Sequence, residues 1–507
     1  MKIQKVLTTI VTGLLFLFCA AGAIAENCSI DGSGNNLVHY DWGKTGSTLR
    51  RADGAAYSDG ISEPAGQNRP SPRLISNTVL GQDESIPNIF GRSDYIWAWG
   101  QFIDHDLDLV ETAVPFEPFD IIVPPGDEIF DPDASGGVFL PFNRSAYDPC
   151  TGTDASNPRQ QVNILTSWLD ASMVYGSDPC RAAWLREGSG GRLKVTSHAY
   201  GALLPYNDGT VPNAGGTGTD LFVAGDVRAN EHAILTSLHT LFVREHNRLA
   251  GKIALANQGW SDEQIYQKAR KIMGAEIQVI TFKEFLPALL REDAPSPYSG
   301  YKPQVDGTIA NVFATAAYRF GHSALSPKIL RLDENLNEIP YGHIDFEEAF
   351  FNPSLITEEG GIEPILRGLA YQFHQEIDIF VIDAVRNSLF TTLDLTSLNI
   401  QRGRDHGLPD YNKLRELHGL EAITDFDEIN SEPKIWTGLQ AVYGNVNNID
   451  PWVGMIAEGS TPSGLRHTVI KGSSKNCVTA TVSGTASMTG LPQRICSFSE
   501  ICGSRML

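Results

Sequence analysis

Gln101, Asp104, His105 and Asp106 crowd into the segment Trp99-Gly100-Gln101-Phe102-Ile103-Asp104-His105-Asp106, among large apolar neighbours. On a helix, Gln101, Asp104 and His105 stand at i, i+3 and i+4 and share one face, while Asp106 lies about 100° further round. A histidine held among apolar groups stays neutral near pH 7 and can shuttle a proton; a merely structural helix histidine would show the same local pattern. Thr166-Ser167-Trp168-Leu169-Asp170-Ala171-Ser172 carries oxygen donors at every second residue: the Thr166 hydroxyl, the Trp168 carbonyl, the Asp170 carboxylate and the Ser172 hydroxyl. In an extended loop those groups turn the same way, and an all-oxygen set suits a hard cation such as Ca²⁺, with Asp106 as a further carboxylate. A polar turn is the competing reading.

Three further clusters follow. Arg228 and Glu231 lie in Asp226-Val227-Arg228-Ala229-Asn230-Glu231-His232, three apart at the expected start of a long helix, where they would otherwise make a capping ion pair. His322 ends Tyr318-Arg319-Phe320-Gly321-His322; Gly321 leaves room for close approach, and the histidine could serve as an axial iron ligand or be structural. Leu398-Asn399-Ile400-Gln401-Arg402-Gly403-Arg404-Asp405-His406-Gly407 reads as one turn-like stretch, in which Asn399 could accept the free N–H of a ligating histidine. Asp405 and His406 read better as part of a buried structural network.

The elements that must position these groups are helical. Apolar spacing predicts helices over 93–110, 229–255, 262–292, 308–322, 361–389 and 408–418. In the second, Ile234, Leu235, Leu238, Leu241, Phe242 and Leu249 form one apolar side. Residues 26–90, 111–160 and 186–226 are rich in loop-forming residues, and alternating Val/Ile/Thr is scarce before the tail. The expected fold is mainly α: a single large helical domain with long loops and little β. Its expected limits are 70–470, after an N-terminal extended segment (26–69) and before a Cys-rich C-terminal tail (471–507).

The chain has 507 residues, 42% hydrophobic and 20% charged, enough for a large core and unlike a disordered chain. Thirty-nine basic against 60 acidic residues give −21, which excludes nucleic acid and anionic membrane surfaces as natural partners. Lys2 and Lys5, the apolar run Val6–Phe18 and the small-residue site Ala23-Ile24-Ala25 predict a cleaved signal peptide over 1–25 and a secreted, or periplasmic, product. No later stretch predicts stable membrane insertion. Cys28, Cys150, Cys180, Cys477, Cys496 and Cys502 are an even set for disulfides in an exported protein, with connectivity unreadable. Asn143-Arg144-Ser145 is a glycosylation sequon if the host is eukaryotic.

In order and spacing, these segments resemble the animal-type haem peroxidases of the peroxidase–cyclooxygenase superfamily, over roughly residues 70–470. Val174-Tyr175-Gly176-Ser177, Arg244-Glu245-His246-Asn247-Arg248-Leu249, Gly407-Leu408-Pro409-Asp410-Tyr411-Asn412 and Asn448-Ile449-Asp450-Pro451-Trp452-Val453-Gly454 match as well. The resemblance implies haem b, hydrogen peroxide as oxidant, and oxidation of small anions (bromide, iodide, thiocyanate) or phenols. By the same resemblance His105 would be the distal proton shuttle, Arg228 the distal arginine and Gln101 the distal glutamine. His322 would be the proximal iron ligand with Asn399 as its partner, and Arg319 and Arg402 would lie near the propionates. Asp104 and Glu231 would form ester bonds to the haem, and Asp106, Thr166, Trp168, Asp170 and Ser172 would bind calcium.

His232 stands where chloride-oxidising members carry a methionine bonded to the haem, which implies a lower iron potential and weak chloride oxidation. A fatty-acid dioxygenase of the same superfamily is the second reading; those enzymes place a tyrosine three residues before the proximal histidine, where this chain has Arg319 and Tyr318 is one residue off. A non-enzymatic adhesion or matrix protein is the third, and Gln101, His105, Arg228 and His322 together speak against it.

Overall fold

The structure is a computed structural model that describes residues 29–390 and 392–480. The expected signal peptide and Cys28, Cys496 and Cys502 lie outside the described residues. Helices of seven or more residues are α1 (Tyr95–Leu107), α2 (Ala233–Ala256), α3 (Asp262–Ile280), α4 (Glu363–Tyr371), α5 (Leu395–Asp405), α6 (Tyr411–Leu417), α7 (Pro433–Tyr443), α8 (Pro451–Ala457) and α9 (Leu465–Thr479). Strands among the described residues form only three two-stranded antiparallel ribbons. The fold is mainly α, as expected.

One apolar core runs through the chain from Leu49 to Ala480. Ile234, Leu235, Leu238 and Phe242 of α2 are wholly buried against it, but so are Thr236, Ser237, His239 and Thr240. The first half of α2 is therefore enclosed all round, not amphipathic. Two of its hydroxyls bond back to the main chain, Ser237 Oγ to the Ala233 carbonyl and Thr236 Oγ1 to that of Ala229, both at 2.7 Å, while Thr240 Oγ1 is buried without a partner. The α9 helix runs across residue 470, and its Cys477 thiol is buried, donating to the Ser167 carbonyl. Cys150 and Cys180 are exposed, and no disulfide joins cysteines among the described residues.

Several expected elements differ. Residues 227–230 are turn and Glu231 a bend, and α2 begins only at Ala233, because His232 is extended and its Nδ1 accepts the Leu235 N–H as the helix cap. The stretch 398–407 is not turn-like: it lies on α5 up to Asp405, with His406 closing the helix. The carboxylate of Asp394 starts that helix by accepting the Thr396 and Ser397 N–H groups. The expected helix 361–389 ends at Tyr371; beyond it the chain bridges Phe373 to Ser93, Gln375 to Pro87 and Val381 to Gly81, and only one helical turn, Asp383–Arg386, follows. Its apolar residues are buried in an irregular segment, and helical spacing cannot tell the two apart. The run 308–322 breaks at Ala316 (φ −134°, ψ −66°) into Asn311–Thr315 and a tighter turn, Ala317–His322.

Asn143 is folded into the protein. Its Nδ2 donates to the Ala113 carbonyl and its Oδ1 accepts the Glu117 N–H, so the amide a glycan would take is in use.

Arg73, 1% exposed, ties α5 to the N-terminal half of the chain. It donates to Asp127 at 2.6 Å and to Asp394 at 2.9 Å. Removing one member of a buried ionic network leaves the others uncompensated. Asp394→Ala will cost about 3 kcal/mol, read from the urea midpoint; a loss under about 1 kcal/mol would show that the network does not support α5.

Candidate functional site

A cleft of about 230 Å³ collects Gln101, Asp104, His105, Arg228, Glu231, Arg319 and His322. Gln101, Asp104 and His105 reach it from one face of α1, as their spacing requires. Arg228 and Glu231 come from the turns before α2, and Arg319 and His322 from the broken segment after Ala316. Groups more than 200 residues apart in sequence thus face one space.

Asp226, which the sequence reading quoted without a role, organises one side. Its two oxygens accept Arg228 Nε and Nη2, both at 2.9 Å, and Oδ1 also accepts the Arg228 main-chain N–H at 2.8 Å. Arg228 Nη2 donates further to the Asp108 carbonyl at 3.2 Å, while Nη1 lies 3.9 Å from Asp104 Oδ2. Burial alone would raise Asp226, but the charge and hydrogen bonds of Arg228 hold it well below the usual carboxylate range. Burial likewise opposes the charge on Arg228, and Asp226 more than offsets it.

His105 is 2% exposed, its Nδ1 3.5 Å from Asp226 Oδ1 and without a hydrogen bond. Burial, then the positive charge of Arg228, press its pKa far below the ordinary imidazole value, so the ring is unprotonated and free to take up a proton. Burial pushes Glu231 up to about 7, and burial with the nearby Asp108 raises Asp104 well above its ordinary value.

Gln101 is fixed at both ends of its amide. Its Nε2 donates to Glu231 Oε1 at 3.2 Å, and its Oε1 lies 2.9 Å from His232 Nε2. Because His232 Nδ1 accepts from Leu235, Nε2 carries the hydrogen and donates to Gln101. Burial lowers His232 to about 3, so this tautomer is neutral.

Across the cleft, His322 Nδ1 lies 2.7 Å from Asn399 Nδ2, and Arg319 Nη1 donates to Asn399 Oδ1 at 3.0 Å. The amide thus offers its N–H to the imidazole, opposite to the expected sense, because Arg319 takes the oxygen. Burial and then the Arg319 charge lower His322 to about 3. Arg402 turns away from the cleft, donating to the Asn143 carbonyl, Ser145 Oγ and Asp405 Oδ2 at 2.8 to 3.1 Å. His406 is held by Ser145, Thr315 and Asn311, a buried network with Arg144 on Asp405, as read from sequence.

Behind α1, Asp106 points away from the cleft. Its carboxylate accepts the N–H of Ala171 at 3.1 Å and the N–H and hydroxyl of Ser172. The 166–172 segment is bent, not extended, and Ala171 in the left-handed region (φ 67°) swings Ser172 onto Asp106. Thr166 Oγ1 donates to Asp170 Oδ1 at 3.2 Å, while Asp170 Oδ2 is buried without a partner. The Trp168 carbonyl accepts the Asp170 N–H, and its indole donates to the Gly32 carbonyl. Burial and then the Asp106 charge raise Asp170 well above the usual range; burial raises Asp106 to about 6. Two enclosed carboxylates and a stranded oxygen form a place short of positive charge. The groups fit an oxygen-liganded cation.

A family model described as animal haem peroxidase matches residues 28–480. Thyroid peroxidase of Sus scrofa is 37% identical over 494 residues, covering 85% of this chain and 53% of that protein. Peroxidasin of Drosophila melanogaster is 36% identical, covering 86% of this chain and 32% of that protein. The chain therefore spans about half, or less, of the curated relatives it matches. Peroxidase A from Dictyostelium discoideum superimposes with a TM-score of 0.85 at 31% identity, covering 94% of this chain and 96% of that one. A fatty acid alpha-dioxygenase from Arabidopsis thaliana shares the fold alone, with a TM-score of 0.76 at 18% identity, covering 91% and 76%.

Glu231 fixes a pH effect. Its folded pKa of about 7 lies above the 4.5 of the free side chain. The folded protein thus holds the extra proton between those values, and the stability this brings is present below 4.5 and lost as pH rises through 7. In the ligand-free protein, moving from pH 5 to pH 8 will destabilise the native chain relative to Glu231→Gln by about 2 kcal/mol, measured as the change in their unfolding free-energy difference. A pH-independent difference would show that Glu231 is an ordinary carboxylate.

Proposed function

Because the chain belongs to the animal haem peroxidase family, we propose that it is a haem-dependent peroxidase, reducing hydrogen peroxide to water while oxidising small anions or phenols. One observation carries the reading: a neutral buried His105 and a clamped Arg228 face, across a single cleft, a second neutral imidazole, His322. Haem, which the family implies, fits these groups: the His322 ring lines the cleft, and turning the Asn399 amide so that its oxygen accepts the Nδ1–H leaves Nε2 free as a ligand.

In this reading His322 ligates the iron and Asn399 orients the ring. When bound, haem supplies an iron that takes up the oxidising equivalents of peroxide. His105 accepts the proton of the incoming hydroperoxide and returns it to the departing oxygen; its depressed pKa keeps it ready as a base near neutrality. Arg228 stabilises the negative charge that develops as the O–O bond breaks, and Asp226 holds its guanidinium in place beforehand. Gln101 turns an amide toward Glu231 and orders small molecules beside His105. Asp104, its pKa raised well above the ordinary value, and Glu231, raised to about 7, are the carboxyls from which ester bonds to haem would form. Arg319 and Arg402 supply positive charge on the propionate side, Arg402 through a side chain that must leave its present partners.

Calcium is the cation proposed for Asp106, Thr166, Trp168, Asp170 and Ser172, supported by the unpartnered Asp170 oxygen. Since Asp106 follows His105 directly, an ion there would hold α1 in register. Among the described residues no helix is long and apolar enough to cross a membrane. Export, disulfides involving the terminal cysteines, and bromide, iodide, thiocyanate or phenols as donors are proposed on the sequence features given above.

The pure protein supplied with haem will show a Soret band and peroxide-dependent iodide oxidation. His322→Ala will lose both, with activity down at least about 10³-fold; a colourless native protein would overturn the reading. His232 cannot form a sulfur bond to haem, so at acid pH bromide turnover will exceed chloride turnover by about tenfold or more. Efficient hypochlorous acid formation would refute that preference.

A further inference from the structure

Trp97 occupies a place that none of these roles uses. Its side chain lines the cleft and is 2% exposed, and its Cβ is 3.7 Å from where a side chain on Gly321, next to His322, would begin. The indole Nε1–H donates to Asp94 Oδ1 at 3.0 Å. That carboxylate is itself 2% exposed and also accepts Ser326 Oγ–H at 2.8 Å. Burial raises Asp94 to about 7, which makes it a competent proton acceptor. On its other side Trp97 meets Phe346 edge-on, with ring centroids 5.9 Å apart, and Phe346 forms part of the wall of a separate surface cleft of about 460 Å³. An aromatic path thus leads from the inner cleft toward the surface.

An indole that loses one electron becomes a strong acid at its N–H, and a hydrogen-bonded carboxylate takes that proton with almost no movement of heavy atoms. We propose that Trp97 is a redox relay, with Asp94 as its proton acceptor, through which donors outside the inner cleft are oxidised. This rests on the peroxidase reading, and hydrogen peroxide acting through bound haem is the oxidant. One electron passes from the indole to the oxidised haem, the Nε1 proton moves to Asp94 Oδ1, and a neutral indolyl radical remains. An aromatic donor then returns one electron, Asp94 returns the proton, and the N–H bond re-forms. Two such cycles consume the two oxidising equivalents of one peroxide.

The test is electron paramagnetic resonance of the haem-loaded protein, frozen after one equivalent of hydrogen peroxide. An organic radical is expected whose line narrows when the protein is grown on ring-deuterated tryptophan. Trp97→Phe with its Soret band retained will lack that signal, and Trp97→Tyr, the second variant should the first fail to bind haem, will replace it with a tyrosyl one. In Asp94→Asn the radical will decay about tenfold faster. Adding tetramethyl-p-phenylenediamine will discharge the native radical. A signal indifferent to tryptophan deuteration, one unchanged in the Trp97 variants, or one that the diamine leaves intact would overturn the relay while leaving the peroxidase reading standing. A loaded protein inert to peroxide would remove that reading, and the relay with it.

Discussion

The site is built around one buried negative charge. Asp226 is 1% exposed, and a lone carboxylate there would be costly. It is ionised because Arg228 closes on it with two side-chain bonds and one main-chain bond. The same carboxylate faces His105 at 3.5 Å. Arg228 therefore cannot swing freely into the cleft, and His105 has a negative group behind its ring and a positive one beside it. Between those opposed influences burial decides the state of His105, which stays neutral. Loss of the Asp226 charge would release the guanidinium and change the imidazole at once.

The position of Asp226 depends in turn on close main-chain packing. Its N–H donates to the Met173 carbonyl at 3.0 Å, and a Cβ on the preceding Gly225 would lie 2.4 Å from the Ser172 carbonyl oxygen. Only glycine allows that approach. Ser172 is also the residue whose N–H and hydroxyl hold Asp106. One short turn, Ser172–Tyr175, thus touches both the main chain of the residue that clamps Arg228 and the carboxylate next to His105 in sequence. A cation between Asp106 and Asp170 would tighten that turn and so act on the cleft through geometry alone.

Much of this was legible in the sequence because it depends on local spacing. The shared face of Gln101, Asp104 and His105 follows from helical geometry, as does the divergence of Asp106. The α5 helix was not legible: Asn399, Arg402, Gly403 and Asp405 give a weak helical pattern, and what starts the helix is Asp394, whose second oxygen is tied to Arg73 from 321 residues away. The end of α4 at Tyr371 was hidden for the opposite reason, since Ile377, Ile379 and Val381 continue an apolar pattern in an extended segment buried by bridges to residues 81–93. Asp226 stood inside a quoted motif, but its role needed the turn that folds Arg228 back on it. The sense of the Asn399 amide needed Arg319, because two donors compete for one oxygen.

His232 shows how a single substitution can reach the cleft without entering it. The imidazole caps α2 through Nδ1, and that bond leaves Nε2 as the donor, so Gln101 must present its oxygen to His232 and its NH₂ group to Glu231. The polarity of the glutamine amide is therefore decided by a helix cap one residue after Glu231. With burial holding the ring neutral down to about pH 3, this orientation persists throughout the range in which Glu231, near 7, gains and loses its proton. The two ends of the amide consequently respond differently to pH: the His232 end stays fixed, and the Glu231 end changes charge. A methionine at this position, with no N–H to donate, would leave the Gln101 oxygen free and remove that asymmetry.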